Sequence, residues 1–270
     1  MGRAVALAVV VAILGTVIGL RDRLIGSMLY FPESGVAITP ERLGIQADEV
    51  FLTTEDGVRI HGYWLEAPGA RRALLFFHGN AGNASHRLPN ADRLRRLGAH
   101  VLLLDYRGYG RSQGEPTEAG LYADARAGFA YLTGERGVPE GRVVLFGRSL
   151  GGAVAVDLAQ GRPLGGLILE STFSSLADAG AYHYSRLLAP MAGDAFDSAA
   201  KIGRTRSPLL FFHGDRDRII PLPLGRALFD AAPDPKEFEI IAGAGHNDTL
   251  EIGGPAYFDR IAAFLEQVVP

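Results

Sequence analysis

The chain contains no cysteine. Disulfide bonds, a thiol nucleophile and thiolate-bound metals are therefore excluded, while the redox compartment is left undecided. The 27 basic and 30 acidic residues give a net charge of −3, so the composition does not suggest nucleic acid as a partner. The sequence also lacks an H-E-x-x-H zinc motif, carboxylates at ligand spacing and a G-x-x-x-x-G-K-[ST] phosphate loop. We therefore expect neither a metal nor a cofactor.

The N-terminus carries an uncharged apolar run, Ala4–Leu20, between Arg3 and Arg21. Its roughly 17 residues reach the lower limit for a membrane-spanning helix. We therefore expect residues 1–23 to form an uncleaved single-pass membrane anchor. The alternative is a cleaved signal peptide and a secreted protein, although the run is slightly long and no clear A-x-A cleavage site follows it. Positive charges balance across the run, so the side of the membrane is not predicted.

Short apolar runs alternate with helical patterns along residues 50–270, which predicts a mostly parallel sheet with helices on both faces. Glycine occurs 35 times, which indicates many tight turns between strands and helices. Val50–Thr53 and Val58–Leu65 flank an Asp-Gly turn signal, so we expect an antiparallel hairpin at one edge of the sheet. Residues 24–49 connect the anchor to this domain. The interval of about 174–207 holds no clear strand and is expected to form a short helical cap.

The most informative stretch is Arg142–Gly152, which reads R-V-V-L-F-G-R-S-L-G-G. An apolar strand runs into a G-x-S-x-G motif centred on Ser149, and a helix of small residues follows. Glycines two positions before and after the serine remove side chains that would collide with the neighbouring strand and helix. Such a turn lifts the serine hydroxyl above the sheet and aims the Leu150 N–H at a developing negative charge. Ser149 is therefore the candidate nucleophile.

A serine hydroxyl is a weak nucleophile and needs a histidine base that is held by a carboxylate. His246 lies in a glycine-rich loop after the last predicted strand. Its position gives the chain order Ser, Asp, His that is typical of this kind of fold. We predict His246 as the base and Asp217, after the penultimate strand, as the acid. Asp215 and Glu170 are the alternative acids.

An oxyanion hole needs a second N–H donor besides that of Leu150. The loop after the third strand is the expected source, and we assign the donor to the Asn80 N–H. The glycines of Gly79–Gly82 permit close backbone approach. His78 and His213, each before a glycine at a strand end, are expected to brace their loops through hydrogen bonds rather than to react.

These motifs resemble those of the α/β-hydrolase-fold serine hydrolases. The resemblance covers about residues 50–268. It is strongest to the N-terminally anchored α/β-hydrolase-domain proteins, a branch described as serine aminopeptidase-like. The motifs that carry it are HGNAGN (His78–Asn83), LDYRGYGRSQG (Leu104–Gly114), GRSLGG (Gly147–Gly152), ESTF (Glu170–Phe173), HGDRDRIIP (His213–Pro221) and GAGHND (Gly243–Asp248).

The resemblance implies an α/β-hydrolase fold and places the family's triad on Ser149, Asp217 and His246, with oxyanion donors at Asn80 and Leu150. It does not specify the substrate. We expect an ester or thioester hydrolase that acts on a small-molecule or acylated substrate through an acyl-enzyme. A serine aminopeptidase, a protein depalmitoylase-type thioesterase and a non-catalytic binding module are the alternatives. Apolar residues of the cap are expected to shelter an acyl chain: Leu176, Tyr182, Tyr184, Leu187, Leu188, Met191 and Phe196.

Overall fold

The structure is a computed structural model that describes residues 26–183 and 192–270. Its strands are β1 (Phe31–Pro32), β2 (Asp48–Thr53), β3 (Arg59–Leu65), β4 (Ala73–Phe77), β5 (Ala81–Gly82), β6 (His100–Leu104), β7 (Val143–Arg148), β8 (Gly166–Glu170), β9 (Leu209–Gly214) and β10 (Lys236–Ile241). Its α-helices are α1 (Leu88–Arg95), α2 (Glu118–Ala130), α3 (Leu150–Ala159), α4 (Leu176–His183), α5 (Ser198–Ile202), α6 (Leu222–Ala231) and α7 (Thr249–Val268).

The main sheet has the strand order β10-β9-β8-β7-β4-β6-β3-β2. Neighbours from β10 to β6 pair in parallel, whereas β3 pairs antiparallel with both β6 and β2. The predicted parallel sheet with an antiparallel hairpin at one edge is therefore confirmed. The nucleophile strand β7 lies between β4 and β8, so the loops that carry the candidate residues leave adjacent strand ends.

Both faces of the sheet are buried, as the uninterrupted apolar strands require. Leu75 and Phe77 of β4 belong to one hydrophobic cluster, together with side chains of α2 and α3. Leu74 and Phe76 belong to a second cluster, together with side chains of α1 and α7. The helices thus cover the sheet from both sides and leave the ends of the parallel strands for polar loops.

Two helices begin irregularly. The helix that follows β5 starts as a 3₁₀ turn over Ala84–Arg87 and continues as α1. The closing helix begins at Thr249 and bends at Gly254, whose φ of 51° is non-helical, immediately before Pro255. A proline cannot donate a helical hydrogen bond and is best tolerated in a first turn, so the regular part of α7 follows it.

The connector forms a contact that the sequence did not predict. Its strand β1 pairs in parallel with β5, which lies in the loop after β4. The two strands have only two residues each and pair through main-chain atoms, so the apolar run at residues 28–32 does not specify which loop they contact. The connector consequently lies on the loop that carries Asn80.

The predicted anchor, residues 1–23, lies outside the described residues. Across residues 26–183 and 192–270, no helix is both long and apolar enough to cross a membrane. Four of the predicted cap side chains, Tyr184, Leu187, Leu188 and Met191, also lie outside the described part. The expectation for Phe196 is wrong, because its side chain is fully buried and packs against the Tyr122 ring at 5.9 Å.

Candidate active site

The turn between β7 and α3 has the strained geometry expected of a nucleophile elbow. Ser149 has φ 53° and ψ −119°, a backbone conformation that L side chains rarely adopt. Its N–H donates to Glu170 O at 2.9 Å, and its carbonyl accepts from Thr172 Oγ1 at 2.8 Å. These hydrogen bonds to the next strand hold the strained residue in place, with its side chain above the sheet.

The two flanking glycines are required by space. A Cβ at Gly147 would lie 2.4 Å from Gly151 O, and a Cβ at Gly151 would lie 2.1 Å from Phe77 O. Both distances are far below van der Waals contact and both involve backbone, so neither neighbour could move cheaply. The steric argument from the sequence is therefore confirmed at both positions.

The structure brings Ser149, His246 and Asp217 into one hydrogen-bonded chain. The Ser149 hydroxyl lies 3.1 Å from His246 Nε2, and His246 Nδ1–H donates to Asp217 Oδ2 at 2.7 Å. The other oxygen of Asp217 accepts the N–H groups of Ile219 and Ile220 at 2.9 and 2.8 Å. The Asp217 side chain is fully buried, so this carboxylate is fixed on both sides.

The two alternative acids occupy other positions. Asp215 is exposed, and its Oδ1 accepts the Gly243 N–H at 2.7 Å, which closes the loop rather than orienting an imidazole. Glu170 is buried and is fully engaged by Arg148, Thr249 and Tyr257. Asp217 is therefore the one of the three that contacts His246.

Arg148, the variable residue before the serine in G-x-S-x-G, links the elbow to the His246 loop. Its Nε donates to Glu170 Oε1 at 2.9 Å, and its Nη2 donates to His246 O and to Asn247 Oδ1. Glu170 also accepts hydroxyl hydrogen bonds from Thr249 at 2.5 Å and Tyr257 at 2.6 Å. This buried, ionised cluster fixes the backbone of the residue that supplies the imidazole.

His213 braces the Asp217 loop, as the sequence predicted. Its Nε2–H donates to Ile220 O at 2.7 Å, and the ring lies 3.6 Å from Asp217 Oδ2. Burial lowers the pKa of His213, so the ring is neutral at neutral pH. It therefore holds the loop by a hydrogen bond and adds no competing positive charge beside the carboxylate.

The loop after β4 packs directly on the elbow. A Cβ built at Gly79 would lie 3.5 Å from Ser149 Cβ. The Asn80 N–H donates no hydrogen bond within the part of the chain that the structure describes. Leu150 is the first residue of α3, where an N–H has no acceptor within the helix. Two backbone donors are thus available beside the serine.

His78 fixes the peptide plane that carries the Asn80 N–H. Its Nδ1 lies 2.6 Å from Gly79 O, so this nitrogen carries the proton and donates to the carbonyl. Burial lowers the pKa of His78 to about 4, which keeps the ring neutral. Because the Gly79–Asn80 peptide is trans, its N–H points away from the carbonyl that His78 holds.

Sequence reasoning assigned no role to Asp105, at the end of β6. Its side chain is buried and accepts from His61 Nδ1 at 2.9 Å and from the Ala84 N–H at 2.7 Å. It therefore ties the edge hairpin to the loop after β4. Its place directly after a buried strand was the available signal, but the partners are 21 and 44 positions away along the chain. Across residues 26–183 and 192–270, no group of three or more His, Asp or Glu side chains could hold a metal ion.

Comparison with known proteins gives one consistent result. A sequence profile of the family described as serine aminopeptidase, S33, matches residues 68–201. An uncharacterized protein of Mycobacterium tuberculosis is 40% identical over 243 residues, covering 89% of this chain and 86% of that protein. Human alpha/beta hydrolase domain-containing protein 17B is 35% identical over 224 residues, covering 82% of this chain and 76% of its own.

Among solved structures, an esterase of Pyrococcus furiosus superposes with a TM-score of 0.75 at 22% identity, covering 90% of this chain and 99% of the esterase. At 22% identity, this structural similarity is evidence for the fold alone. The fold, the identity to sequence relatives and the profile match define the class as an α/β-hydrolase. The chain belongs to the family of α/β-hydrolase domain-containing proteins.

Proposed function

We propose that this hydrolase cleaves carboxylic ester or thioester bonds through an acyl-enzyme on Ser149. The observation that carries the proposal is the hydrogen-bonded chain from Ser149 Oγ through His246 to Asp217. A hydroxyl that donates to a neutral imidazole, which in turn donates to a buried carboxylate, is the arrangement that activates a serine. The unengaged N–H of Asn80 adds an electrostatic partner for the transition state.

The proposed reaction runs in two halves. Ser149 Oγ attacks the carbonyl carbon while its proton passes to His246 Nε2, and the carbonyl oxygen becomes an oxyanion. The N–H groups of Asn80 and Leu150 donate to that oxygen. Collapse expels the alcohol or thiol, which takes the proton from His246 and leaves the acyl group on the serine. Water then attacks the acyl-enzyme by the same route, with His246 as base, and releases the carboxylic acid.

The engagement of the buried carboxylates favours esters and thioesters over peptides. An aminopeptidase must bind a free ammonium group, which calls for a carboxylate that faces the substrate. Asp105, Glu170 and Asp217, the acids buried at the strand ends, each accept hydrogen bonds from protein donors. The cap interval contains Asp178, Asp194 and Asp197; Asp178 accepts the Ser174 hydroxyl and Asp197 accepts the Ala200 N–H. The family description keeps a serine aminopeptidase as the second candidate.

Exposed apolar side chains flank the site and suit an acyl group. Tyr182 of the cap is 58% exposed, and Ile219, two residues after Asp217 in the chain, is 53% exposed. His183 Nε2 joins the two segments through a 2.8 Å hydrogen bond to Ile219 O. Each methylene that such a surface buries contributes about 0.8 kcal/mol. We propose a preference for short to medium acyl chains in solution, with longer chains accepted when a membrane presents them.

The test compares wild type with Ser149→Ala on p-nitrophenyl esters, on aminoacyl p-nitroanilides and with a fluorophosphonate probe. Wild type should hydrolyse the esters and take up the probe, and Ser149→Ala should lose about 10⁶-fold in kcat. Activity confined to the anilides would show that the enzyme is an aminopeptidase and not an esterase. Near wild-type ester hydrolysis by Ser149→Ala would remove the mechanism, and a wild type inert to probe and substrates would favour a binding module.

The acyl-length proposal is tested with kcat/KM across chain lengths, in solution and in liposomes, for the full chain and for a chain that starts at Leu24. Only the full chain should gain activity on long acyl groups in liposomes. Two identical profiles would remove the link between the predicted anchor and the choice of substrate.

A further inference from the structure

The connector lies along the loop that carries the proposed oxyanion donor. We name residues 29–37 the strap. The strap runs parallel to the loop after β4, with Phe31 beside Ala81 and Pro32 beside Gly82. It also crosses the loop after β6, where Ser34 forms a bridge with Gly110. The strap therefore joins two loops that leave neighbouring strands on the active-site edge of the sheet.

Asn80 is held from the strap by two hydrogen bonds. Its carbonyl accepts the Phe31 N–H at 3.0 Å, and its side-chain Nδ2 donates to Leu29 O at 2.8 Å. The carbonyl also accepts the Tyr109 hydroxyl at 2.8 Å. The side chain and the carbonyl of Asn80 thus both form hydrogen bonds that keep the residue in position. Its backbone N–H is left unengaged by the described residues.

The strap is fixed on both of its long sides. Its Glu33 N–H donates to Gly82 O at 3.1 Å, and Asn83 Nδ2 donates to both Glu33 O and Gly35 O at 3.0 Å. On the other side, Gly35 N–H donates to Gly110 O at 2.7 Å and Gly110 N–H donates to Glu33 O at 2.9 Å. Asn80 could therefore shift only if several of these hydrogen bonds broke or if the strap moved with it.

From Phe31 onward the side chains of the strap add little to the hydrophobic core, whereas Leu29 and Tyr30 at its start are partly buried and pack against the core. Phe31 is 53% exposed, and residues 32–35 are all exposed. Burial of apolar area is the main source of folding stability, so this segment contributes less than its number of hydrogen bonds suggests. Its main-chain hydrogen bonds instead go to the loops after β4 and β6. We therefore expect the strap to influence the geometry of these loops more than the stability of the fold.

We propose that the strap is a positioning element that holds the Asn80 N–H in the oxyanion hole. The proposal rests on the proposed hydrolase function and adds to it a residue set outside the catalytic loops. In this proposal the strap acts through Asn80 and not on the substrate. Its contacts set the direction of a donor that acts when negative charge develops on the carbonyl oxygen, so their loss should lower kcat and leave KM nearly unchanged.

The matched pair for the test is Phe31→Pro and Phe31→Ala in the full chain. Proline removes the N–H that donates to Asn80 O, whereas alanine removes the same exposed side chain and keeps the N–H. Complete loss of an oxyanion donor costs about 10²–10³ in kcat, and a displaced donor should cost about tenfold. We expect this tenfold loss for Phe31→Pro, with KM within about twofold, and near wild-type kinetics for Phe31→Ala.

Asn80→Ala provides an independent variant, because it removes the hydrogen bond to Leu29 O and keeps the backbone N–H. Both Asn80→Ala and Phe31→Pro should lower the rate on an ester more than on its thionoester, since a thiocarbonyl sulfur accepts weaker hydrogen bonds than oxygen. The double variant should lose less than the product of the two single effects, because both changes release the same loop. A general loss of stability would instead lower the rates of hydrolysis of both substrates by the same factor.

The outcomes separate this proposal from the function on which it rests. If Ser149→Ala is inactive and both Phe31→Pro and Asn80→Ala match Phe31→Ala in kcat and in the ester-to-thionoester ratio, the strap has no positioning role and the hydrolase stands. If Phe31→Pro fails to fold, Asn80→Ala decides by the same two readouts. If Ser149→Ala retains wild-type hydrolysis, the proposed function itself is wrong.

Discussion

Two loops present the reacting groups to Ser149, and they are held in different ways. The loop after β10 carries His246 and is fixed by the ionised pair Arg148 and Glu170, which is buried with Thr249 and Tyr257. The loop after β4 carries Asn80, and around Asn80 it is fixed by neutral groups: the strap backbone, the neutral ring of His78 and the Tyr109 hydroxyl. The Asp105 carboxylate holds this loop further along the chain, at the Ala84 N–H. One side depends on buried charge and the other on a set of ordinary hydrogen bonds.

Because the two loops are held by different interactions, variants at each loop should have different effects on stability and on rate. Removing one member of a buried ion pair leaves the other charge without compensation, so damage at the His246 side should appear in stability as well as in rate. A neutral hydrogen bond contributes about 1 kcal/mol, so damage at the Asn80 side should appear mainly in the rate. Variants on the two sides can therefore be told apart by measuring both quantities.

The largest effect on the charged side is expected from Asp217→Asn. The amide cannot hold the imidazole in the required tautomer, and the analogous change in a serine protease triad lowers kcat about 10⁴-fold. Asp215→Asn is the matched control, because Asp215 lies two residues away, is exposed and directs its side chain to the Gly243 N–H rather than to His246. Steady-state kinetics on a p-nitrophenyl ester measures both. A larger loss in Asp215→Asn would transfer the role of the acid to that residue.

Next in size is the loss of stability in Glu170→Gln. Arg148 would keep its charge without its buried partner, at a cost of about 3 kcal/mol in the free energy of unfolding. For a domain of this size that shift lowers Tm by about 10 °C. Glu237→Gln is the control, since Glu237 pairs with Arg260 on the surface, where removal of the charge should change stability by less than about 1 kcal/mol. Equal melting temperatures for the two variants would contradict the comparison between the loops.

The smallest effect is a pH dependence that arises on the neutral side. The pKa of His78 is lowered to about 4 by burial, against an unfolded value near 6.5, so the unfolded state binds the proton more tightly. Its contribution to stability is therefore present above pH 6.5 and is lost as the pH falls toward 4. From pH 6.5 to pH 5 the loss should be about 2 kcal/mol.

Urea unfolding of wild type and His78→Phe at these two pH values measures this contribution. The variant should be less stable at pH 6.5, because Gly79 O loses its donor, but its stability should fall less steeply with acid. An unchanged slope in His78→Phe would show that His78 is not the group that titrates.

The elbow and the order of the candidate residues were predictable because their signals are local. Ser149 lies between an apolar strand and a small-residue helix, and two glycines at fixed spacing mark the turn. The positions of Asp217 and His246 follow from the parallel sheet, since each loop leaves a strand end on the same edge. Asp215 and Asp217 follow the same strand, and of these two the structure places Asp217 against His246.

The supports of the two loops were not predictable from the sequence. Arg148 is the unspecified residue of its motif, and its partners Glu170 and Asn247 are 22 and 99 positions away. The strap contributes main-chain atoms to its hydrogen bonds with these loops, so neither periodicity nor charge in its own sequence marks them. Such contacts depend on where a chain segment lies in the fold, and residue type alone does not fix that.

The most direct test of the account is the mass of the protein after rapid mixing with a p-nitrophenyl ester and acid quench. The account predicts one added acyl group per active chain, located on the peptide that contains Ser149, and no addition in Ser149→Ala. The same mixing experiment should release p-nitrophenol in stoichiometric amount with the acyl-enzyme. Ester turnover without an acyl adduct under fast quench, or an adduct on another residue, would contradict the claim that Ser149 is the nucleophile.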